Sequence, residues 1–143
     1  MILLDTNLLL YAGASDGPLQ ARVREWLDQQ FNGASRVGMP WHSLLGFVRL
    51  ATNPRLFTDP PTPAVAWKQV RRWLAAPNVW IPNPTDRHAE ILESLLGHPT
   101  VSTASVMDAH LAALAVEHGL VLCSTDTGFA RYSDLRWFNP LAA

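Results

Sequence analysis

Three aspartates in this sequence stand at positions where a carboxylate can do chemistry. Asp5 follows the apolar run of residues 2–4, and Asp126 comes shortly after a second apolar run at 120–123. Asp108 lies in a helical pattern that is apolar on nearly every side, so we expect its carboxylate to point inward. A carboxylate in apolar surroundings is unfavourable unless it is protonated, paired or bound to a metal.

A divalent cation is the simplest compensation for these three acids. The two carboxylates at strand ends would add to the repulsion around the third. No lysine lies near them in sequence, since Lys68 is the only lysine of the chain. Hard carboxylate oxygens suit Mg²⁺ or Mn²⁺ better than Zn²⁺. The predicted site is therefore a magnesium or manganese centre.

The hydrophobic pattern predicts short buried strands that alternate with helices. Strands are expected at 2–4, 37–39, 79–81, 120–123 and 135–138, and helices at 19–31, 41–52, 64–74, 85–97 and 104–118, with further helices after residues 5 and 126. This order favours an α/β fold, a three-layer α/β/α sandwich with a mainly parallel central sheet. Ligands gather beyond the carboxyl ends of such strands, so Asp5 and Asp126 should emerge at the same edge.

Length and composition predict a single domain over residues 1–143. With 48% hydrophobic and 16% charged residues, the chain has enough apolar material for a packed core and too little charge for a disordered chain. The formal net charge of -1 is unlike that of a strongly basic nucleic-acid-binding domain, so any RNA contact must come from local patches. The single cysteine, Cys123, excludes an intramolecular disulfide and a cysteine-rich zinc site.

The expected location of the protein is the cytoplasm. No basic segment precedes the apolar run at the N-terminus, and the run meets a carboxylate at Asp5, which is unlike a signal peptide. No apolar stretch approaches the roughly 18–20 residues that a membrane span needs. We therefore expect no membrane partner.

Each aspartate also has an ordinary structural interpretation. Asp5 and Asp126 precede helices and can act as N-caps, a position that aspartate favours. Asp108 can be an exposed helical acid, although its apolar neighbours argue against this. The convergence of the three acids on one sheet edge favours a common site over three separate structural roles.

Other kinds of catalytic site lack their motifs. The five histidines, His42, His88, His98, His110 and His118, show no metalloprotease or zinc hydrolase spacing, so structural or surface roles are expected. The sequence has no Gly-x-Ser-x-Gly elbow, P-loop or glycine-rich dinucleotide turn. The six tryptophans are expected in the core or in interfaces rather than stacked on bases.

Four segments together resemble the PIN-domain family, in particular the VapC-type toxins of toxin–antitoxin pairs. The resemblance covers nearly the whole chain and depends on the order and spacing of residues 4–7, 46–55, 108–115 and 124–131. It implies a Mg²⁺- or Mn²⁺-dependent endoribonuclease in which the acids hold the metal, and the metal activates water against an RNA phosphodiester. The matching acidic positions are Asp5, Asp108 and Asp126.

The resemblance also implies supporting residues and two departures. Thr6 and Thr125 match hydroxyl positions that support such a site, and Asn7 is a candidate for contact with substrate or with a metal ligand. Many relatives carry a glutamate where this chain has Gly46, and some carry a further acid where it has Gly128. Three carboxylates then remain, which suggests weaker metal binding or one metal rather than two. Water, Asn53 or the RNA would complete the metal shell.

The same resemblance implies protein partners. A homodimer is expected, inhibited by a cognate VapB-type antitoxin whose tail crosses the acidic site, with an arginine set against the carboxylates. The aromatic surface near Trp67 or Trp73 is a candidate for such contacts.

Two other functions compete with the ribonuclease. A PIN-like module that has lost catalysis and only binds RNA or antitoxin is favoured by Gly46 and Gly128. A phosphatase of the haloacid-dehalogenase type also starts with a strand-end aspartate. That chemistry needs a second aspartate where this chain has Asn7, and Lys68 lies in an unsuitable context, so we rank it lower.

Overall fold

The computed structural model describes residues 1–14 and 17–142. Within these ranges, five strands form one parallel sheet in the order β3-β2-β1-β4-β5. The strands are β1 (Ile2–Leu4), β2 (Val37–Gly38), β3 (Val79–Trp80), β4 (Val121–Cys123) and β5 (Trp137–Phe138). All of the expected strands are present, each within two residues of its predicted bounds.

Six α-helices connect and flank these strands in the described ranges. They are α1 (Thr6–Ala14), α2 (Pro18–Phe31), α3 (Trp41–Ala51), α4 (Pro63–Leu74), α5 (His88–Leu96) and α6 (Val106–His118), with 3₁₀ turns at Thr103–Ser105 and Thr127–Arg131. No helix of the described ranges has the length and apolar character to cross a membrane.

Helix α5 starts three residues later than the pattern predicts. The backbone N–H of Thr85, the predicted first residue, donates to the Glu117 carboxylate at 2.7 Å instead of lying within a helix. The turn that follows it leads into α5 at His88. A contact between distant parts of the chain therefore sets this boundary.

Helices cover both faces of the sheet, as the alternation of apolar runs predicts. Leu4 of β1 and Cys123 of β4 pack into a core formed with α1 to α4. Leu3 and Leu122, their neighbours in sequence, point to the opposite face and pack with α5 and α6. Because both faces are buried, the strands are apolar throughout rather than alternating. The three-layer α/β/α sandwich is confirmed.

The pairing of β1 with β4 brings the ends of two strands together. Leu4 is in register with Cys123, and the Asp5 N–H continues the ladder by donating to the Cys123 carbonyl at 3.0 Å. The next residues, Asp5 and Ser124, therefore leave the sheet side by side at its carboxyl edge.

Candidate metal-dependent active site

Asp5 is a buried carboxylate held by two hydrogen bonds. Its side chain is 8% exposed. Oδ1 accepts from the Thr6 N–H at 2.7 Å, and Oδ2 accepts from the Ser124 hydroxyl at 2.6 Å. Burial raises the pKa of Asp5 above its ordinary value and Asp126 adds to this, while the two hydrogen bonds and His42 oppose the rise.

The hydroxyl of Ser124 links three parts of this edge. Ser124 is fully buried, and while it donates to Asp5 its Oγ accepts from Asn7 Nδ2 at 3.0 Å and from the Asp126 N–H at 3.0 Å. Asn7 Oδ1 in turn accepts from the Thr125 N–H at 3.4 Å. One hydroxyl thus orients Asp5 and positions the turn that carries Asp126.

Sequence reasoning named Thr125 as the hydroxyl of this strand end and missed Ser124. In the described ranges Thr125 contributes its backbone N–H, and the hydroxyl on the carboxylate belongs to Ser124. Like Asp5, Ser124 is a polar residue that directly follows a buried strand, and this position could have marked it as a candidate. To pair it with Asp5, however, one must know the register between two strands that are far apart in sequence.

Asp126 is exposed and serves as an N-cap. Its Oδ1 accepts from the Gly128 N–H at 2.8 Å at the start of the 3₁₀ turn. The capping interpretation is therefore correct locally. The same carboxylate also lies close enough to raise the pKa of both Asp5 and Asp108, so capping and membership of the acidic cluster coexist.

Asp108 is half-buried in the first turn of α6. The expectation that this helix is enclosed on nearly every side is wrong at this turn, where Val106 and Met107 are 42% and 53% exposed. In sequence, Asp108 falls between these exposed residues and the buried residues Ala109 and Leu111. Its pKa is raised to about 6, first by burial and then by the charges of Asp5 and Asp126, and Arg131 opposes the rise.

The three acids offer hard oxygen donors, the kind that Mg²⁺ and Mn²⁺ prefer. In the described part of the chain no lysine or arginine forms an ion pair with any of them. Their mutual repulsion is therefore opposed only by charges beyond ion-pair distance, those of His42 and Arg131. Among the described residues, no three His, Cys, Asp or Glu side chains are grouped closely enough to hold a metal ion by themselves. Oxygen atoms of water or substrate would therefore have to complete the coordination of a cation at these acids.

Comparison with known proteins identifies the family. The sequence profile described as PIN domain matches residues 2–135. The chain belongs to the PIN-domain family. It is 45% identical over 142 residues to "Ribonuclease VapC37" of Mycobacterium tuberculosis, with 99% of each chain covered. It is 38% identical over 141 residues to "Ribonuclease VapC33" of the same species, again with 99% of each chain covered.

Solved structures of similar fold agree with this assignment. A VapBC-1 structure from nontypeable Haemophilus influenzae superposes with a TM-score of 0.70 at 18% identity, covering 99% of this chain and 100% of that one. A toxin–antitoxin complex from Klebsiella pneumoniae gives 0.63 at 16% identity, with 100% of both chains covered. These likenesses concern the fold. The resemblance inferred from the sequence is confirmed.

In this PIN-domain protein, Gly46 marks a close approach of α1 and α3. The Thr6 hydroxyl donates to the Ser43 carbonyl of α3 at 3.2 Å. A Cβ built at Gly46 would lie 2.5 Å from Thr6 Oγ1, closer than real atoms approach. The absence of a side chain at this position therefore lets the two helices pack, and the Thr6 hydroxyl bonds the α3 backbone rather than a carboxylate.

The histidines form contacts that their spacing did not indicate. His88 Nδ1 lies 2.6 Å from Glu117 Oε2, and His88 Nε2 lies 3.0 Å from His110 Nδ1. The His110 ring meets the His42 ring at 5.9 Å, and the charges of His42 and Asp5 interact. The sequence showed no pattern for this network because its members come from three different helices.

Two further expectations concern individual residues. Asn53 lies beyond the end of α3, and its Oδ1 accepts from the Arg55 N–H at 2.9 Å. A part for Asn53 in a metal shell stays a prediction. Trp73 is 8% exposed and packs edge-on against Phe47, so it offers no surface to a partner.

Proposed function

We propose that this PIN-domain protein is a Mg²⁺- or Mn²⁺-dependent endoribonuclease, the toxin of a VapBC-type pair. The observation that carries the proposal is Asp108. Its carboxyl lies close enough to Asp5 and Asp126 for their charges to raise its pKa, without an ion-pair partner in the described residues. A cation bound there would remove the repulsion. Two relatives, at 45% and 38% identity, carry the name ribonuclease.

In this proposal Asp5, Asp108 and Asp126 would hold the cation, which would supply an activated water and stabilisation of the charge that develops on the phosphodiester. Ser124 fixes the direction of Asp5 through its 2.6 Å hydrogen bond. Asn7 donates to the Ser124 hydroxyl and accepts from the Thr125 N–H, so it positions the residues between the end of β4 and Asp126. Thr6 contributes its N–H to Asp5 at 2.7 Å.

The proposed partners are RNA, a second copy of the chain and a VapB-type antitoxin. A neighbour in structure is described as a toxin–antitoxin complex, which supports the antitoxin. Exposed apolar residues on α3, Trp41 and Leu45, support a contact between proteins. Light scattering of the purified chain at micromolar concentration should give the mass of a dimer, and a clean monomer would refute that part. The cytoplasmic location stays a prediction.

Cleavage of total RNA tests the proposed activity. The purified protein is incubated with the RNA pool in Mg²⁺ or Mn²⁺. Cleavage should be lost in EDTA and in the Asp108→Asn variant. Asp134→Asn, which changes an exposed acid outside the cluster, is the matched control. We expect cuts in the wild type and in Asp134→Asn only. Cuts that persist in EDTA would refute the dependence on a metal, and cuts that persist in Asp108→Asn would refute the role of Asp108.

A module that binds without cutting is the second candidate. It is favoured by the finding that no three His, Cys, Asp or Glu side chains of the described ranges are grouped closely enough to hold a metal ion. A folded wild type that raises its melting temperature with Mn²⁺ but cuts nothing across the RNA pool would make this the better description.

A further inference from the structure

Arg131 lies beside the acidic cluster with its guanidinium held in place. Nε donates to the Gly128 carbonyl at 2.8 Å, and Nη1 donates to the Thr100 carbonyl at 3.2 Å and to the Ser105 hydroxyl at 3.3 Å. These bonds connect the 3₁₀ turn after Asp126 with the loop before α6. A long side chain is thereby fixed in one orientation.

Within the described ranges, one nitrogen of this guanidinium forms no hydrogen bond. That nitrogen is Nη2, and Arg131 also forms no ion pair within 4.0 Å of a described acid. The charge nevertheless acts on the site, because it lowers the pKa of Asp108 against the effect of burial. Two N–H donors and a positive charge therefore remain free next to the acids.

Gly128 leaves the space in front of Nη2 open. A Cβ built at Gly128 would lie 2.9 Å from Arg131 Nη2 and 3.0 Å from Asp126 Oδ1. The cation and the carboxylate thus face each other across the volume that a side chain would occupy. An acidic side chain at this position would pair with Arg131 and use up its free donors.

A phosphate group bound to a divalent cation fits the combination of three carboxylates and the Nη2 donors of Arg131. Phosphate oxygens bind a divalent metal on one side and guanidinium N–H groups on the other. A free anion alone would be repelled by three carboxylates, and a metal alone would leave Nη2 without a partner. A metal-bound phosphodiester satisfies both groups together.

We propose that Arg131 contacts a phosphate of the RNA at the metal site and that Gly128 keeps its Nη2 free for this contact. This inference rests on the proposed ribonuclease function. It adds a substrate-binding residue to the three acids. The competing role of Arg131 is structural, since its other bonds tether two loops.

The test compares Arg131→Gln, Arg131→Lys and Arg136→Gln. Arg136 is the matched control because it is an exposed arginine that also donates to a backbone carbonyl, that of Gly119 at 2.6 Å, at the far end of α6. Affinity for a fluorescein-labelled single-stranded RNA of mixed sequence is measured with Asp108 intact, in Ca²⁺, a hard cation that carboxylate oxygens also bind, and the RNA is checked for cleavage afterwards. Cleavage kinetics are measured in Mg²⁺, and melting temperatures are measured for every variant.

We expect Arg131→Gln to weaken RNA binding about tenfold or more, because a charged contact to phosphate is lost. The slope of the logarithm of the binding constant against the logarithm of the salt concentration should fall by about one, the value for one phosphate contact. KM should rise more than kcat falls. Arg131→Lys should recover part of the affinity because it keeps the charge, and Arg136→Gln should behave as wild type.

Gly128→Asp tests the same idea with Arg131 in place. The new carboxylate should pair with Nη2, which can shift to make room, and weaken RNA binding to a similar degree. This variant keeps the test decisive if Arg131→Gln does not fold.

Two results would overturn the inference while the proposed function stands. One is an unchanged affinity and salt slope in Arg131→Gln or, where that variant does not fold, in Gly128→Asp. The other is an equal loss in Arg136→Gln. A wild type that neither binds nor cuts RNA would remove the proposed function and this inference together.

Discussion

Two carboxylates on the same helix, Asp108 and Glu117, have opposite surroundings. Glu117, in the last turn of α6, has a fully buried side chain, with His88 2.6 Å from Oε2 and the Thr85 N–H 2.7 Å from Oε1. Asp108, in the first turn, has no ion-pair partner in the described ranges and a pKa raised to about 6. The more buried acid is thus the better compensated one.

This difference separates a structural role from a functional one. Partners supplied by the segment at the start of α5 satisfy both oxygens of Glu117, which therefore ties α5 to α6. Asp108 instead lies beside two further acids, and Arg131 offsets their effect only in part. Functional sites are places where a protein tolerates such an unfavourable arrangement.

The largest expected effect is the loss of cleavage in Asp108→Asn. If the proposed function holds, removing one of the three charges that would bind the ion should lower the cleavage rate at least about a hundredfold. Stability should not fall, because the substitution relieves repulsion. Fluorescent RNA cleavage and thermal unfolding in EDTA measure the two quantities. A variant that cuts within threefold of wild type would break the comparison, because Asp108 would then be no more functional than Glu117.

For Glu117→Gln we expect a loss of stability with no change in the cleavage rate. Removing one partner of a buried pair costs about 3 kcal/mol of unfolding free energy, because His88 and the Thr85 N–H lose their charged acceptor. Urea unfolding measures this, with Glu93→Gln on exposed α5 surface as the control. The cleavage rate per folded molecule should match wild type. An unchanged midpoint would show that the pair is dispensable.

Added metal should stabilise only proteins with the acidic cluster intact. At a hundred times its Kd, an ion that binds the folded state adds about 2.7 kcal/mol of stability. Mn²⁺ titrations followed by thermal unfolding should therefore raise the melting temperature of wild type and of Glu117→Gln. Asp108→Asn should show little increase. An equal increase in all three would place the metal elsewhere.

The smallest predicted effect is the pH dependence of the Asp108 contribution in EDTA. Its folded-state pKa is raised to about 6, so the folded state binds the proton more tightly than the unfolded state. Above that pH the deprotonated carboxyl destabilises the fold, by about 1 kcal/mol after allowance for its partial exposure. Asp108→Asn should therefore be more stable than wild type at pH 7, and the difference should close towards pH 4. A constant difference would contradict the raised pKa.

Much of the architecture could be predicted from local pattern. Apolar runs of three or four residues between helical stretches identified the strands, and their alternation with helices implied the parallel sheet. The edge position of Asp5 and Asp126 followed from that topology. Boundaries were less accessible, as at α5, where the Thr85 N–H bonds a carboxylate 32 residues away rather than a helical neighbour.

The sequence by itself determined the residue types and their places on elements: three acids, their strand ends or helix, and the order of those elements. Only the tertiary structure decided which side chains meet. The register of β1 against β4 places the Ser124 hydroxyl on Asp5, and the close packing of α1 on α3 sets Thr6 against Gly46. Periodicity depends on neighbours along the chain, whereas these contacts depend on how separate elements slide and pack against each other.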